Sequence, residues 1–237
     1  MRQTVFALFA ALLLLAGQSS HAATFKVATL SPDGSFWMKT MREAGKEVAA
    51  ATDNRVKFKW YPGGVMGDDK AVLRKMRVGQ LQGAALAMGE LISFYPDSQA
   101  YGVPFLFRNY DEVDYVRSQL DASLQAGFSA GGIEVLGIAE GGFGYFLTAE
   151  PVRVPADLRQ QKVWVPQNDV VSARLAQSIG VTPIPLTLPD VLPGLQTGLV
   201  NTVAVSPMGA IVLQWHTRVA HITDIPLMYF CGVISLT

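Results

Sequence analysis

Tyr61-Pro62-Gly63-Gly64-Val65-Met66-Gly67-Asp68-Asp69, running on through Val78-Gly79-Gln80-Leu81 to Gly89, is the segment on which the fold turns. Gly63, Gly64 and Gly67 follow a proline and mark a turn, because glycine enters left-handed backbone without a steric cost. Ahead of it, Val56, Phe58 and Trp60 alternate with Lys57 and Lys59, the period of a half-buried strand. Behind it, Asp68 to Val78 reads as a helix stopped at Gly79, then a short apolar strand from Ala84 to Met88. Strand, glycine turn, helix and strand is the unit from which layered α/β folds are built.

The same unit recurs outward. Phe25 to Leu30 alternates as a strand, and Ser31-Pro32-Asp33-Gly34-Ser35 is turn chemistry with Asp33 and Ser35 as candidate caps. Trp37, Met41, Ala44, Val48 and Ala51 then recur at helical spacing, as do Val113, Val116, Leu120 and Leu124 further on. Ile133 to Ala139 and Phe143 to Leu147 read as two strands parted by Glu140-Gly141-Gly142. After Glu150-Pro151 the elements shorten: a strand from Lys162 to Val165, a helix with Val171, Leu175 and Ile179 capped by Asn168 or Asp169, then strand, helix and strand from Pro185 to Val205 with Gly198 as C-cap.

The expected organisation is a first α/β lobe over 23–146, a second over 147–220, and a strand over 221–237 returning to the first lobe. An apolar strand at a chain end leaves a sheet edge uncovered, so the chain reads as C-terminally shortened, with a remainder absent. At the other end Arg2, the apolar run Val5 to Ala16 and the small residues around Ala22 read as an export signal over 1–22. The run is too short for a membrane span of roughly 20 residues.

Nineteen basic residues balance nineteen acidic ones, which removes the electrostatic footprint of nucleic-acid binding. Cys231 is the only cysteine and has no internal disulfide partner; its apolar surroundings make it a packing thiol.

In order and spacing, several segments resemble the DctP-type solute receptors of TRAP transporters. They are Lys26 to Ser35, Thr52 to Gly67, Val78 to Leu81, Gly102 to Phe107, Lys162-Val163-Trp164-Val165-Pro166 and Leu195 to Asn201. The resemblance implies a two-lobed periplasmic solute-binding protein that closes a central cleft around a small organic acid. It implies delivery of that acid to membrane permease subunits driven by a sodium gradient, without chemical turnover. A monomer is expected, with a dimer as the alternative; neither a cofactor nor a metal is assigned. Relatives place an arginine where this chain has Trp164, and an indole offers one N–H and an apolar face in place of a carboxylate-binding fork. The segment Thr202-Val203-Ala204-Val205-Ser206-Pro207 is altered as well, so the resemblance implies an aromatic or bulky acid rather than a simple dicarboxylate.

Trp164 is the first candidate contact, with core packing as its competing reading. Phe143 and Tyr145 follow the Gly141-Gly142 pair at the lobe boundary. Ser35 is set to receive an anion at a helix start, or simply to cap that helix. Met88 and Glu90 end a strand in the first lobe, and Gln167, Asn168 and Met208 lie at strand ends in the second. Asp68-Asp69 reads more economically as capping than as a metal pair, and His216 and His221 lack a zinc-ligand grouping. A periplasmic hydrolase using Ser31 or Ser35 with His216 is a different-class alternative, without a Gly-x-Ser-x-Gly elbow to support it. An accessory protein of efflux and a non-functional receptor fragment are the others.

Overall fold

The computed structural model describes residues 22–167 and 169–237. The export-signal expectation therefore falls, apart from Ala22, outside the described residues, as does Asn168. Among the described residues no helix is long and apolar enough to cross a membrane.

In the first lobe β1 (Ala23–Thr29) pairs in parallel with β2 (Val56–Tyr61) on one side and β3 (Gly83–Ala87) on the other. Helix α1 (Phe36–Ala51) crosses β2 over Phe58 and Trp60, whose rings stack 5.5 Å apart. Its buried stripe is Met38 and Met41, with Gly45 beneath; the expected Ala44 and Val48 are exposed. The rotation follows from Gly45, where a Cβ would already stand 3.4 Å from Trp60 Nε1, so the helix turns its smallest residue toward the bulkiest part of the sheet. Helix α2 (Asp69–Arg77) is capped by Asp68, whose carboxylate accepts from the Ala71 amide at 2.8 Å, and it buries Val72, Leu73 and Met76. Helix α3 (Tyr110–Ala130) is capped by Asn109 and buries Val113, Leu124 and Phe128, while Leu120 faces solvent.

The two strands expected around Glu140-Gly141-Gly142 are one: β4 runs unbroken from Glu134 to Thr148. The glycines make a bulge within it instead of a turn, with register shifts between Val135 and Gly137 and between Glu140 and Gly142. A bulge inserts a residue and bends the strand without ending it.

The second lobe adds α4 (Pro155–Leu158), β5 (Trp164–Pro166), α5 (Val170–Ser178), β6 (Ile184–Leu186), α6 (Leu188–Thr197), β7 (Thr202–Val205), α7 (Pro207–Val212) and β8 (His221–Ile222). Gly198 ends α6 in the left-handed conformation. Strand β9 (Met228–Leu236) then lies antiparallel between β3 and β4. The sheet order is β2-β1-β3-β9-β4-β7, with β8 also on β4, while β5 and β6 form a separate parallel pair tied to β7 through Val163 and Thr202.

One apolar core gathers Met76, Leu81, Met88, Phe128, Phe143 and Tyr229; a second gathers Leu147, Trp164, Val191, Val203 and Trp215. Tyr145 packs against both. The fold is two-lobed, and β4 belongs to each lobe.

Candidate functional site

In parallel strands the loops after the carboxyl ends share one edge of the sheet, where ligands of open α/β sheets settle. In the first lobe these loops are the Ser31–Ser35 turn, the Pro62–Gly67 turn and Met88–Glu90. The glycine turn is tied to the first strand: the Gly63 amide donates to the Ser31 carbonyl at 2.9 Å and the Gly64 amide to the Thr29 carbonyl at 3.2 Å. A Cβ on Gly64 would stand 3.2 Å from Pro189 Cγ at the start of α6, so this turn is where the lobes meet. In the second lobe Asp169 caps α5 by accepting from the Ser172 amide at 3.0 Å, and Ser206 caps α7 by accepting from the Gly209 amide at 3.2 Å.

Carboxylates from both lobes come together here. Burial, with Asp169 of the second lobe and Asp68 of the first beside it, raises the Glu90 carboxyl above the usual range. Asp69 is pushed up to about 7, first by burial and then by the charges of Glu90 and Asp68. Like charges brought together out of water favour the neutral acid, so the Asp69 and Glu90 carboxyls hold their protons to higher pH than free ones. Among the described residues no group of three or more His, Cys, Asp or Glu side chains is arranged to hold a metal ion.

The expected contact residues divide. Glu90 lies in this seam. Ser35 lies at the start of α1, where its hydroxyl accepts from the Met38 amide at 3.2 Å. Gln167 and Met208 are exposed at strand ends, Met208 to 52%. Tyr145 is half-buried between the cores. Met88 and Phe143 are core residues, 2% and 5% exposed, and Phe143 packs edge-on against Tyr110 and Tyr229.

Trp164 is placed chiefly by packing. It is 6% exposed, its ring meets Trp215 edge-on at 5.1 Å, and its indole N–H donates to the Leu186 carbonyl at 3.1 Å. That donor is spent inside the lobe. An edge of the ring reaches a cavity of about 80 Å³ between α5 and the sheet, with Val163, Val165, Ala176 and Phe230 among its walls.

Two groups were not singled out as contacts from sequence. Asp69 looked like helix-start charge, yet only Asp68 serves as the cap. Tyr110 Oη and Ser206 Cβ approach Gly142 from the two lobes, within 3.4 and 3.9 Å of where its Cβ would be. The doublet Asp68-Asp69, with one carboxylate more than a cap requires, was the available signal for the first. Nothing local announces the second, since Tyr110, Gly142 and Ser206 are far apart in the chain.

The architecture is that of two-lobed solute-binding proteins. Residues 27–226 match the family model for bacterial extracellular solute-binding protein, family 7 (DctP), and the chain belongs to that family. It is 24% identical over 206 residues to the uncharacterized protein YiiZ of Salmonella typhimurium, covering 85% of this chain and 63% of that one. It is 27% identical over 157 residues to the C4-dicarboxylate-binding periplasmic protein DctP of Vibrio cholerae, covering 66% and 47%. The chain thus spans about half to two thirds of the curated relatives it matches. Among solved structures, a TRAP periplasmic solute-binding protein from Xanthobacter autotrophicus with bound β-D-galacturonate superposes with a TM-score of 0.83 at 19% identity, over 90% of this chain and 72% of that one. DctP7 of Bordetella pertussis, a receptor binding pyroglutamic acid, gives 0.82 at 20% identity, over 91% and 71%.

Proposed function

We propose that this chain captures a small organic acid between its lobes in the periplasm and passes it unchanged to a sodium-driven TRAP permease. The lobes are those over 23–146 and 147–220, with His221–Ile222 adding a short strand to the second and Met228–Leu236 returning to the first. The observation that carries the reading is the match to a solute-binding family over residues 27–226, joined to strand ends of both lobes that face one seam. Solved structures of similar fold hold galacturonate, glucuronate, succinate and pyroglutamate.

The solute is a monocarboxylate with a bulky, hydroxylated or aromatic remainder. Asp68, Asp69, Glu90 and Asp169 all press on the seam, so a second carboxylate would add like charge where burial already favours protonation. Trp164, held by Leu186 and Trp215, shapes the wall from behind. Glu90, Tyr145, Gln167 and Met208 stand as the contact candidates, with Asn168 beside them in sequence and Ser35 orienting the acid head group at the start of α1.

Calorimetry with D-glucuronate, D-galacturonate, pyroglutamate, benzoate and succinate tests this. Saturable binding of a monocarboxylate with the solute recovered intact, and weaker binding of succinate, is expected. Succinate as the preferred ligand overturns the charge argument; turnover of any of them overturns the receptor reading.

A further inference from the structure

The cavity beside Trp164 lies under α5. Its walls include Phe146 of β4 and Ala204 of β7, which alternate with Leu147, Val203 and Val205 of the Trp215 core, so it occupies the other face of the sheet. Close-packed interiors leave few voids larger than a water molecule. One water needs ~10–15 Å³, and a cavity of about 80 Å³ has room for several. The space has a local cause, for Ala176 and Ala204 both face it where larger apolar side chains would fill it. Phe230 of β9 walls it as well, its ring lying where a Cβ on Gly144 would collide with it.

Water is a poor occupant. Among the described residues around the cavity, the side chains bearing oxygen or nitrogen are Trp164, Asp169 and Ser172. The Trp164 N–H donates to the Leu186 carbonyl, and the Ser172 hydroxyl donates to Asp169 Oδ2, leaving no free side-chain donor inside. A buried water makes about three hydrogen bonds, and an apolar cavity that cannot supply them stays dry or takes an apolar guest. The polar residues sit at one end, where β5 finishes at Pro166 and α5 begins. Strand ends of this kind are where ligands of open α/β sheets settle. Asp169 also stands against Glu90 of the first lobe, so the apolar space adjoins the seam.

We infer that this cavity is a tail subsite: it takes the apolar end, an aryl ring or a short branched alkyl chain, of an acid whose carboxylate stays in the seam. The inference rests on capture of an organic acid between the lobes and narrows its class from bulky acids in general to those with an apolar tail. Ala176 and Ala204 are then specificity-determining, because their small size makes the room. Burying a side chain of phenyl size is worth about thirtyfold in affinity.

Calorimetry with acetate and phenylacetate, and methyl NMR with benzene alone, test this on the unsubstituted chain, on Ala176→Leu and on Gln177→Leu, an exposed neighbour on α5. Phenylacetate should bind about thirtyfold more tightly than acetate, and both phenylacetate and benzene should shift the methyls of Val163, Val165 and Ala176. Ala176→Leu fills the space, so it should cut phenylacetate affinity by about tenfold, far more than acetate affinity, and abolish the benzene shifts. Gln177→Leu should change neither, and melting curves verify that each variant is folded. Equal affinities for the two acids, a phenylacetate advantage that survives Ala176→Leu, or no benzene shifts overturns the subsite and leaves acid capture standing. Benzene bound with neither acid bound overturns both.

Discussion

Asp69→Asn should stabilise this protein at neutral pH and flatten its pH dependence. The Asp69 carboxyl moves from 3.8 to about 7 on folding, chiefly through burial and then through Glu90 and Asp68. Between those values the folded chain keeps a proton that the unfolded chain has released, so stability falls as pH rises from about 4 to about 7 and is level above that. A displacement of about three pH units at about 1.36 kcal/mol each sets a ceiling of about 4 kcal/mol. Asp69 keeps partial contact with water at the seam, and screening trims this to about 2 kcal/mol. Against a typical total of ~5–15 kcal/mol, that is readily measured. Asparagine matches the shape without ionising, and it also relieves the neighbouring carboxylates of one charge. Urea unfolding followed by tryptophan fluorescence at pH 4, 5.5, 7 and 8 should show the two proteins close together at pH 4 and separating by about 2 kcal/mol at pH 8, with unchanged m-values. Parallel profiles across the whole range would mean that Asp69 is not buried among like charges, and the electrostatic account of the seam would fail.

Two further substitutions test the packing. Trp164→Ala should lower stability by about 3–5 kcal/mol, since it empties a core position beside Trp215 and leaves the Leu186 carbonyl without its donor; a stable variant with lost solute affinity would show the indole to be a contact residue after all. Gly45→Val should cost about 1–3 kcal/mol by wedging α1 away from Phe58 and Trp60, read as a lower urea midpoint; no change would mean that the helix does not rest on those rings.

Much of the fold was legible from local chemistry. The caps Ser35, Asp68 and Asp169, the left-handed Gly198, the alternation in β2 and the strand at the chain end all depend on interactions within a few residues or on a simple period. The errors are instructive. Gly141-Gly142 has the composition of a turn, and only the partner strand β9 decides that the chain continues through it as a bulged strand. The α1 stripe was displaced because helical spacing lists candidate faces, and the neighbour with least room, here the Phe58–Trp60 shelf, selects among them.

For the site, residue type and order sufficed to suggest a two-lobed binder with strand ends lining a cleft. They could not separate Glu90, which reaches the seam, from Met88 two residues earlier, which is core, nor show that the Trp164 indole N–H is taken by Leu186. Burial and charge proximity are properties of segments distant in the chain: Asp68 and Asp169 are about a hundred residues apart, and their common pressure on Glu90 exists only after the lobes have formed. Short-range preference is written into neighbouring residues; which charges share a low-dielectric space, and so which carboxyl keeps its proton, is settled by the packing of one lobe against the other.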